Sequence, residues 1–510
     1  MRPTGEALIE QLASELDVPD SRYESAERSY KSVGSWLERQ ESRFSTVDFN
    51  VYTQGSFRLG TAIKPYEANE HYDLDVVCEF SISKAHITQK ALADDFGEEL
   101  KLYALRHNME APSSWDRCWT LNYADGAQFH MDVLPSVQDG QNQRRLRLEE
   151  ALTLDYVDQS ISITDKNHIN YPFIDNEWPA SNPNGYAKWF YGRMEQVFAS
   201  QRHKMMLDEA KAEISEIPVF RVKTPLQSAI KLLKRHRDMR FADEPEKRPT
   251  SIVITTLAAQ AYQQEDTITG ALLSILERMD QFIERRGEDY WIANPSDPRE
   301  NFADAWKKES SKHEHFYDWL ETARADFAEA ARQNNLTGFV DALAPRMGRK
   351  LVEDAVSRKY PLTRTQISVF DRATTAIKRL LDAPHRRPIN WPMTSGGTVT
   401  IVSATTKLKH SHPKTLISDD TPVAINSELR FEAITDVQMP YRVYWQIVNT
   451  GAEAKADKKL RGGFDESKQG QDALVHIEVA SYRGTHSIEC FIVKNEYLVA
   501  RSSPFIVNIA

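Results

Sequence analysis

Hydrophobic and polar positions change their period along this chain, and each change predicts a different kind of structure. Near the start, Leu8, Leu12 and Leu16 recur at a helical spacing, and Tyr23, Ala26, Tyr30, Val33 and Leu37 continue it. That pattern predicts helices over residues 1–45, with Ser21 and Glu24 as a capping box and the second helix packed across the back of a sheet. Residues 46–140 hold strands. Cys118 to Tyr123 is rich in β-formers, Ala124-Asp125-Gly126 signals a hairpin, and Gln128 to Leu134 returns, closed by Pro135. On that return strand Phe129, Met131 and Val133 form the buried face and Asp132 the other.

Residues 160–190 are rich in Asn, Pro and Gly and predict a long connection, in which Asn182 to Tyr186, with Trp189 and Phe190, either borders a cleft or packs a crossover. From about 220 to 380 the pattern is helical. One helix starts at Thr224-Pro225 and carries Leu226, Ala229, Ile230, Leu233 and Arg237, and the next runs from Ser251 through Ala261. Asn294 to Trp306 reads as a packed turn entering a last long helix with Phe316, Leu320 and Phe327 as its stripe and His313 and His315 in solvent. Beyond Pro384 to Pro392 come short alternating strands at 399–401, 429–431, 441–448, 474–479, 486–493 and 504–507, the signature of a small β-sandwich.

The candidate chemistry lies where a turn meets a strand. Asp73 and Asp75 stand two apart on Tyr72-Asp73-Leu74-Asp75-Val76-Val77, so both carboxylates share one face. Bare carboxylates so close repel each other, and a bound Mg²⁺ or Mn²⁺ relieves the repulsion. Upstream, Gln54-Gly55-Ser56 offers a turn whose backbone approaches an anion and whose hydroxyl donates to it. If the Asp132 strand lies beside the Asp73/Asp75 strand, three carboxylates converge, the ligand set for two ions roughly 3.5–4 Å apart. The plain alternative is an acidic strand end after an ordinary loop.

In combination these stretches resemble the polymerase-β-like nucleotidyltransferases, and more closely the bacterial CD-NTases, relatives of cyclic GMP–AMP synthase and oligoadenylate synthetase. The resemblance rests on QGSFRLGTAIKP, YDLDVV, FHMDVLPS, SNPNGYAKWF, LLKRHRD and TSIVITTLAAQAY, and it continues over NPSDPRENFADAW and the C-terminal part. It implies an α+β fold: a nucleotidyltransferase core of mixed sheet and helices over 1–215, a helical domain closing the nucleotide cleft over 216–383, and a β-sandwich sensor domain over 390–510. It implies Asp73, Asp75 and Asp132 as catalytic metal ligands for two Mg²⁺ or Mn²⁺ ions, and Gln54, Gly55, Ser56, Lys234 and Ser251 as nucleotide-binding residues. Lys231, one turn from Lys234, is the other candidate for the triphosphate. The implied activity condenses nucleoside triphosphates, ATP among them, into a cyclic oligonucleotide messenger for anti-phage defence, read by a separate effector.

In the sandwich, the resemblance implies a nucleotide-like ligand, with Trp445, Gln446, Asn449, Arg461, Gly462, Gly463, Phe464, Tyr482 and His486 as candidates; the alternative is a plain core around Trp445. Rival activities are a linear transferase acting on RNA, protein or nucleotides, and a silent nucleotide sensor.

Composition narrows this further. Across 510 residues the net charge is −10, which speaks against a protein that coats long nucleic acid. Arg144-Arg145-Leu146-Arg147 is a local basic patch, read as a solvated loop or part of the substrate approach. No apolar run is long enough to cross a membrane and no secretory signal opens the chain, which predicts a cytoplasmic protein. Cys78, Cys118 and Cys490 are expected as buried, reduced thiols. HExxH, CxxC and Walker-loop patterns are absent.

Overall fold

The computed structural model describes residues 4–65, 72–123, 129–209, 221–309, 311–360, 383–392, 394, 397–409, 411–416, 422–467, 473–502 and 504–509. The chain forms two compact units, Met1–Pro361 and Leu362–Ala510. No described helix is long and apolar enough to cross a membrane.

The first unit is α+β. Helices α1 (Gly5–Glu15) and α2 (Asp20–Leu37) precede strand β1 (Phe49–Thr53) and the short helix α3 (Gly55–Leu59). Strand β2 (Tyr72–Phe80), helix α4 (Gln89–Arg106), and strands β3 (Ser113–Ser114), β4 (Trp119–Tyr123) and β5 (Phe129–Gln138) follow. The strands lie in the order β1-β2-β5-β4-β3. β2 and β5 run parallel with Asp75 opposite Asp132, while β1 and β4 flank them antiparallel. A parallel pair needs a crossover, and α4 is on that path. Leu74, Val76, Cys78 and Phe80 of β2 meet Leu92, Phe96 and Leu100 of α4 and Tyr23, Ala26, Val33 and Leu37 of α2 in one core. With one face of the sheet so covered, the other face of β2 carries Asp73 and Asp75.

Several expectations change here. Pro135 does not close β5; it lies inside the strand opposite Cys78, and pairing with β2 runs on to Val137. Proline removes only its own N–H donor, and parallel partners alternate which residue bonds, so the ladder survives. α2 starts after Pro19 with no side-chain cap, so the Ser21/Glu24 capping box is not formed. The hairpin tip at 124–126 lies outside the described residues. Cys78 and Cys490 are buried but Cys118 is half-buried.

Helix α5 (Gly140–Glu149), strands β6 (Ile161–Ile163) and β7 (Ala180–Ser181), and helices α6 (Pro183–Gly192) and α7 (Glu195–Glu209) lead onward. The long connection at 160–190 thus holds two short strands that extend the sheet from β5, and Asn182 caps α6 by accepting from the Gly185 N–H at 2.8 Å. In α5, Arg144 and Arg145 pair with Asp158 and Glu149, whereas Arg147 is buried and donates to the Ser296 carbonyl at 2.6 Å.

Helix α8 (Pro225–Arg240) begins as predicted: Thr224 and Gln227 form a capping box with Pro225 in the first turn. All positions from Pro225 to Arg237 are buried, because α9 (Ser251–Ala261), α10 (Ile268–Arg278) and later helices surround it. Those later helices are α11 (Asp304–Lys308), α12 (Ser311–Arg332), α13 (Leu336–Met347) and α14 (Arg349–Lys359). The stretch entering α12 contains two hairpins, 284–291 and 293–301, and two shorter helices, α13 and α14, follow α12. Its stripe of Phe316, Leu320 and Phe327 is buried, but His313 stacks on Tyr290 at 4.6 Å rather than standing free in water. α1 packs against α8, α10, α12 and α14, and Leu8, Leu12 and Leu16 are buried.

The second unit is a β-sandwich of a four-stranded and a six-stranded sheet. Inward residues of both, among them Leu429, Phe431, Trp445, Ile488 and Cys490, share one core. Strands at 414–415, 422–423, 464–466 and 497–501 add to those the alternation predicts.

Candidate active site

The site is built on the exposed face of β2. Its register with β5 places Asp73 beside His130 and Asp75 beside Asp132. The three aspartates sequence reasoning selected are therefore brought to one patch by strand pairing alone. Asp132 Oδ1 accepts from the Thr120 hydroxyl of β4, which itself accepts from Trp115 Nε1 at 3.0 Å. His130 Nδ1 lies 2.8 Å from Asn122 Oδ1.

The Gly-Ser turn folds down onto this patch. The Gln54 N–H donates to the Asp75 carbonyl at 2.8 Å, and α3 starts directly after it. Gly55 has φ +61°, and a Cβ there would stand 2.2 Å from Asp75 Oδ2. Only glycine permits that approach. Ser56 sits at the same edge, and its carbonyl accepts from the Thr61 and Ala62 N–H groups at 2.9 and 3.1 Å, which closes the turn.

α8 and α9 supply the opposite wall. A cavity of about 770 Å³ is lined by Gly55, Ser56, Asp73 and Asp75 on one side and by Lys234, Arg237, Arg248 and Ser251 on the other. Lys234 is buried and donates to the Thr61 carbonyl at 3.0 Å. Arg237 donates to Ser251 Oγ at 3.0 Å and to Asp238 Oδ1 at 2.7 Å, so the serine is held by α8 as well as by its own helix. Lys231 is not in this wall: it is buried in an ion pair with Asp17, whose side chain follows α1. Of the two candidate lysines, the structure puts Lys234 in the cavity. A smaller adjoining cavity, about 240 Å³, shares Gly55 and Asp75 and is bordered by Asn182, Pro183 and Tyr186, whereas Trp189 and Phe190 do not line it.

The sequence places Arg237 on α8 but did not mark it, Asp238 or Arg248 as site residues. Arg237 lies one turn from Lys234 on the same helix, a spacing that could have flagged it; Arg248 sits in a loop and had no such signal.

The electrostatics are those of a crowded acidic floor. Burial, then the neighbouring Asp132 and Asp73 carboxylates, push Asp75 up to about 7, while Lys234 pulls the other way. Asp73 is raised as well, by burial and by Asp132, with His130, Lys234 and Arg248 opposing. Burial and the Arg237 charge push Lys234 down to about 8, against the pull of Asp238, Asp75 and Asp73. Among the described residues no three His, Cys, Asp or Glu side chains are gathered to hold an ion as they stand. The donor set nonetheless fits a hard divalent cation: oxygen ligands only, on one face, carrying a charge repulsion that such an ion relieves.

Comparison with known proteins fits this geometry. Residues 49–135, which hold the whole Gly-Ser turn and all three aspartates, match the model of the DncV-like cyclic GMP-AMP synthase nucleotidyltransferase domain. The class that this match defines, for residues 49–135, is a nucleotidyltransferase domain. Residues 381–510 match the adenylyl/guanylyl and SMODS C-terminal sensor domain, so the chain joins a DncV-like nucleotidyltransferase domain to a sensor domain.

Among curated proteins it is 28% identical to a c-di-GMP synthase of Roseivirga ehrenbergii over 334 residues, 65% of this chain and 81% of that one. It is 25% identical to the cyclic dinucleotide synthase CdnG of Bradyrhizobium diazoefficiens over 390 residues, 71% of this chain and 87% of that one. The solved structure of the Bradyrhizobium diazoefficiens CD-NTase CdnG in complex with GTP shares the fold, with a TM-score of 0.54 at 21% identity, over 69% of this chain and 98% of that one.

Proposed function

We propose that this protein is a metal-dependent synthase that joins nucleoside triphosphates, ATP or GTP among them, into a cyclic oligonucleotide with release of pyrophosphate. The observation that carries the reading is that Asp73 and Asp75 line a cleft with Lys234 and Ser251 on its other wall, while Asp132 is paired beside Asp75 on the neighbouring strand. The relatives named as cyclic dinucleotide synthases support the cyclic product.

In this reading the acceptor ribose hydroxyl attacks the α-phosphorus of a donor triphosphate, a P–O bond forms, and the bond to pyrophosphate breaks. Asp73 and Asp75 would hold two divalent cations, one of them shared with Asp132, and these ions would neutralise the triphosphate and acidify the hydroxyl. The Gly55-Ser56 turn receives the phosphates, with the Ser56 hydroxyl donating. Lys234 adds a positive charge from α8. Arg237 fixes Ser251 so that its hydroxyl faces the phosphates. A second transfer in the opposite sense closes the ring.

The same proposal divides the chain into a catalytic part (1–215), a helical part that closes the cleft (216–383) and a sensor part (390–510). It places the activity in a bacterial cytoplasm, in anti-phage defence, with the product read by a separate effector.

The test is purified protein with all four nucleoside triphosphates and Mg²⁺ or Mn²⁺, then phosphatase and mass spectrometry, beside Asp73→Ala/Asp75→Ala. A phosphatase-resistant product absent from the variant is expected. Only phosphatase-sensitive material would make the enzyme a linear transferase, and nucleotide binding without pyrophosphate release would make it a silent sensor.

A further inference from the structure

A cavity of about 290 Å³ opens between the two sheets of the C-terminal unit. Part of its wall is apolar: Leu429 and Phe431 come from one sheet, and Ile447, Ile488, Val507 and Ile509 from the other, while polar side chains, Ser487, Tyr482 and His486 among them, line the rest. All six apolar residues are buried inward-facing positions. In a sandwich such side chains meet across the gap, and here they leave room instead.

Of the ligand candidates raised by the sequence, several do not face this space as free groups. Trp445 is fully buried core, tilted over His476 at 5.4 Å. Gln446 lies on the opposite face of its strand and donates to the Arg387 and Gly462 carbonyls at 2.9 and 2.8 Å. Phe464 packs on Trp391.

At the mouth, the groups suited to a phosphate are already engaged. The Arg461 guanidinium is paired with Asp465 at 2.6 Å and Glu478 at 2.7 Å. Hydrogen bonds from His476 and Arg461 hold Glu478 down to about 2 despite its burial, so a negative charge stands at the rim throughout the neutral range. Asn449 accepts from the Arg461 N–H at 2.6 Å and donates to the Lys459 carbonyl at 3.0 Å. Lys458 and Lys459 are exposed, where water reduces a charge pair to a small contribution.

His486 is different. It is 9% exposed and lines the cavity. Its Nε2 lies 3.0 Å from the Tyr482 carbonyl, which can only accept, so the proton is on Nε2. Burial lowers the basicity of the ring, which keeps it neutral. Nδ1 is then an acceptor, and it has no partner among the described residues.

We propose that this cavity binds a small uncharged, mostly apolar molecule, about two or three rings in size, that donates one N–H or O–H to His486 Nδ1, and that it does not take a phosphate-bearing nucleotide. A largely apolar pocket with a fixed polar contact is the usual form of a small-molecule site. The proposal stands independently of the catalytic reading.

The test uses the full chain and N-phenyl-1-naphthylamine, a neutral probe with one N–H whose fluorescence rises on leaving water. Saturable binding, unchanged by excess ATP and GTP, is expected. His486→Phe keeps the ring shape, removes the acceptor and should weaken binding about tenfold. Val507→Phe fills the cavity and should abolish binding; melting curves check that each variant is folded. The proposal is overturned if ATP or GTP displaces the probe, if both folded variants bind as wild type does, or if an anthraniloyl-labelled AMP competes for the same site.

Discussion

Replacing Gly55 by alanine isolates the contact between the Gly-Ser turn and the acidic floor. Two contributions separate. The first is backbone strain: a side chain at φ +61° meets a penalty of about 1–2 kcal/mol, partly offset because alanine also restricts the unfolded chain. The second is steric. The new Cβ would lie 2.2 Å from Asp75 Oδ2, about an ångström short of ordinary contact, so the carboxylate must move by that much. Displacement of a reacting group by about 1 Å lowers turnover by about a hundredfold.

Gly287 is the control, since its φ is +66° and nothing lies within 4 Å of its would-be Cβ. Gly287→Ala therefore carries the strain without the displacement, and full activity is expected from it. Pyrophosphate release, measured under conditions where the wild type turns over, and thermal melting read both variants. Both should melt within about 3 °C of wild type, as a change of roughly 1 kcal/mol allows in a large domain. The reasoning is refuted if folded Gly55→Ala keeps more than a third of the wild-type rate, or if Gly287→Ala loses activity as severely.

Further expectations follow from the same site. Folded Asp75 keeps its proton up to about pH 7, whereas an unfolded aspartate loses it near about pH 4. In EDTA the protein should therefore lose stability as pH rises through that window, and Asp75→Asn should flatten the slope while abolishing turnover; equal denaturation slopes in both proteins would defeat the explanation. Lys234→Met should cut kcat/KM about a hundredfold with little change in melting. Lys231→Met should instead lower stability by roughly 2 kcal/mol, because it strands Asp17 in a partly buried site, and leave kcat within about threefold. Thr120→Val removes the hydroxyl that Asp132 accepts from, and steady-state kinetics should show turnover about tenfold slower at an unchanged melting temperature.

The sequence by itself determined the parts of this protein whose physics is local. Two-residue alternation in β2 and β5 set which face Asp73, Asp75 and Asp132 share, because side chains on a strand have no other choice. The Thr224-Pro225 start of α8 and the β-sandwich of the second unit were legible for the same reason. What local pattern could not decide was which elements meet. Pro135 looked like a strand end, yet β2 accepted it because its neighbours carry the pairing. α1 has an apolar face like any amphipathic helix, and only packing set it among α8, α10, α12 and α14.

Lys231 and Lys234 are one turn apart on a helix buried on every side, so periodicity could not rank them. The tertiary fold did, by setting Asp17 against one and the open cleft against the other. His486 is the extreme case. Its alternation in the strand says only that it faces inward, and the gap it lines exists where residues of two sheets, whose strands interleave along the sequence, leave room between them.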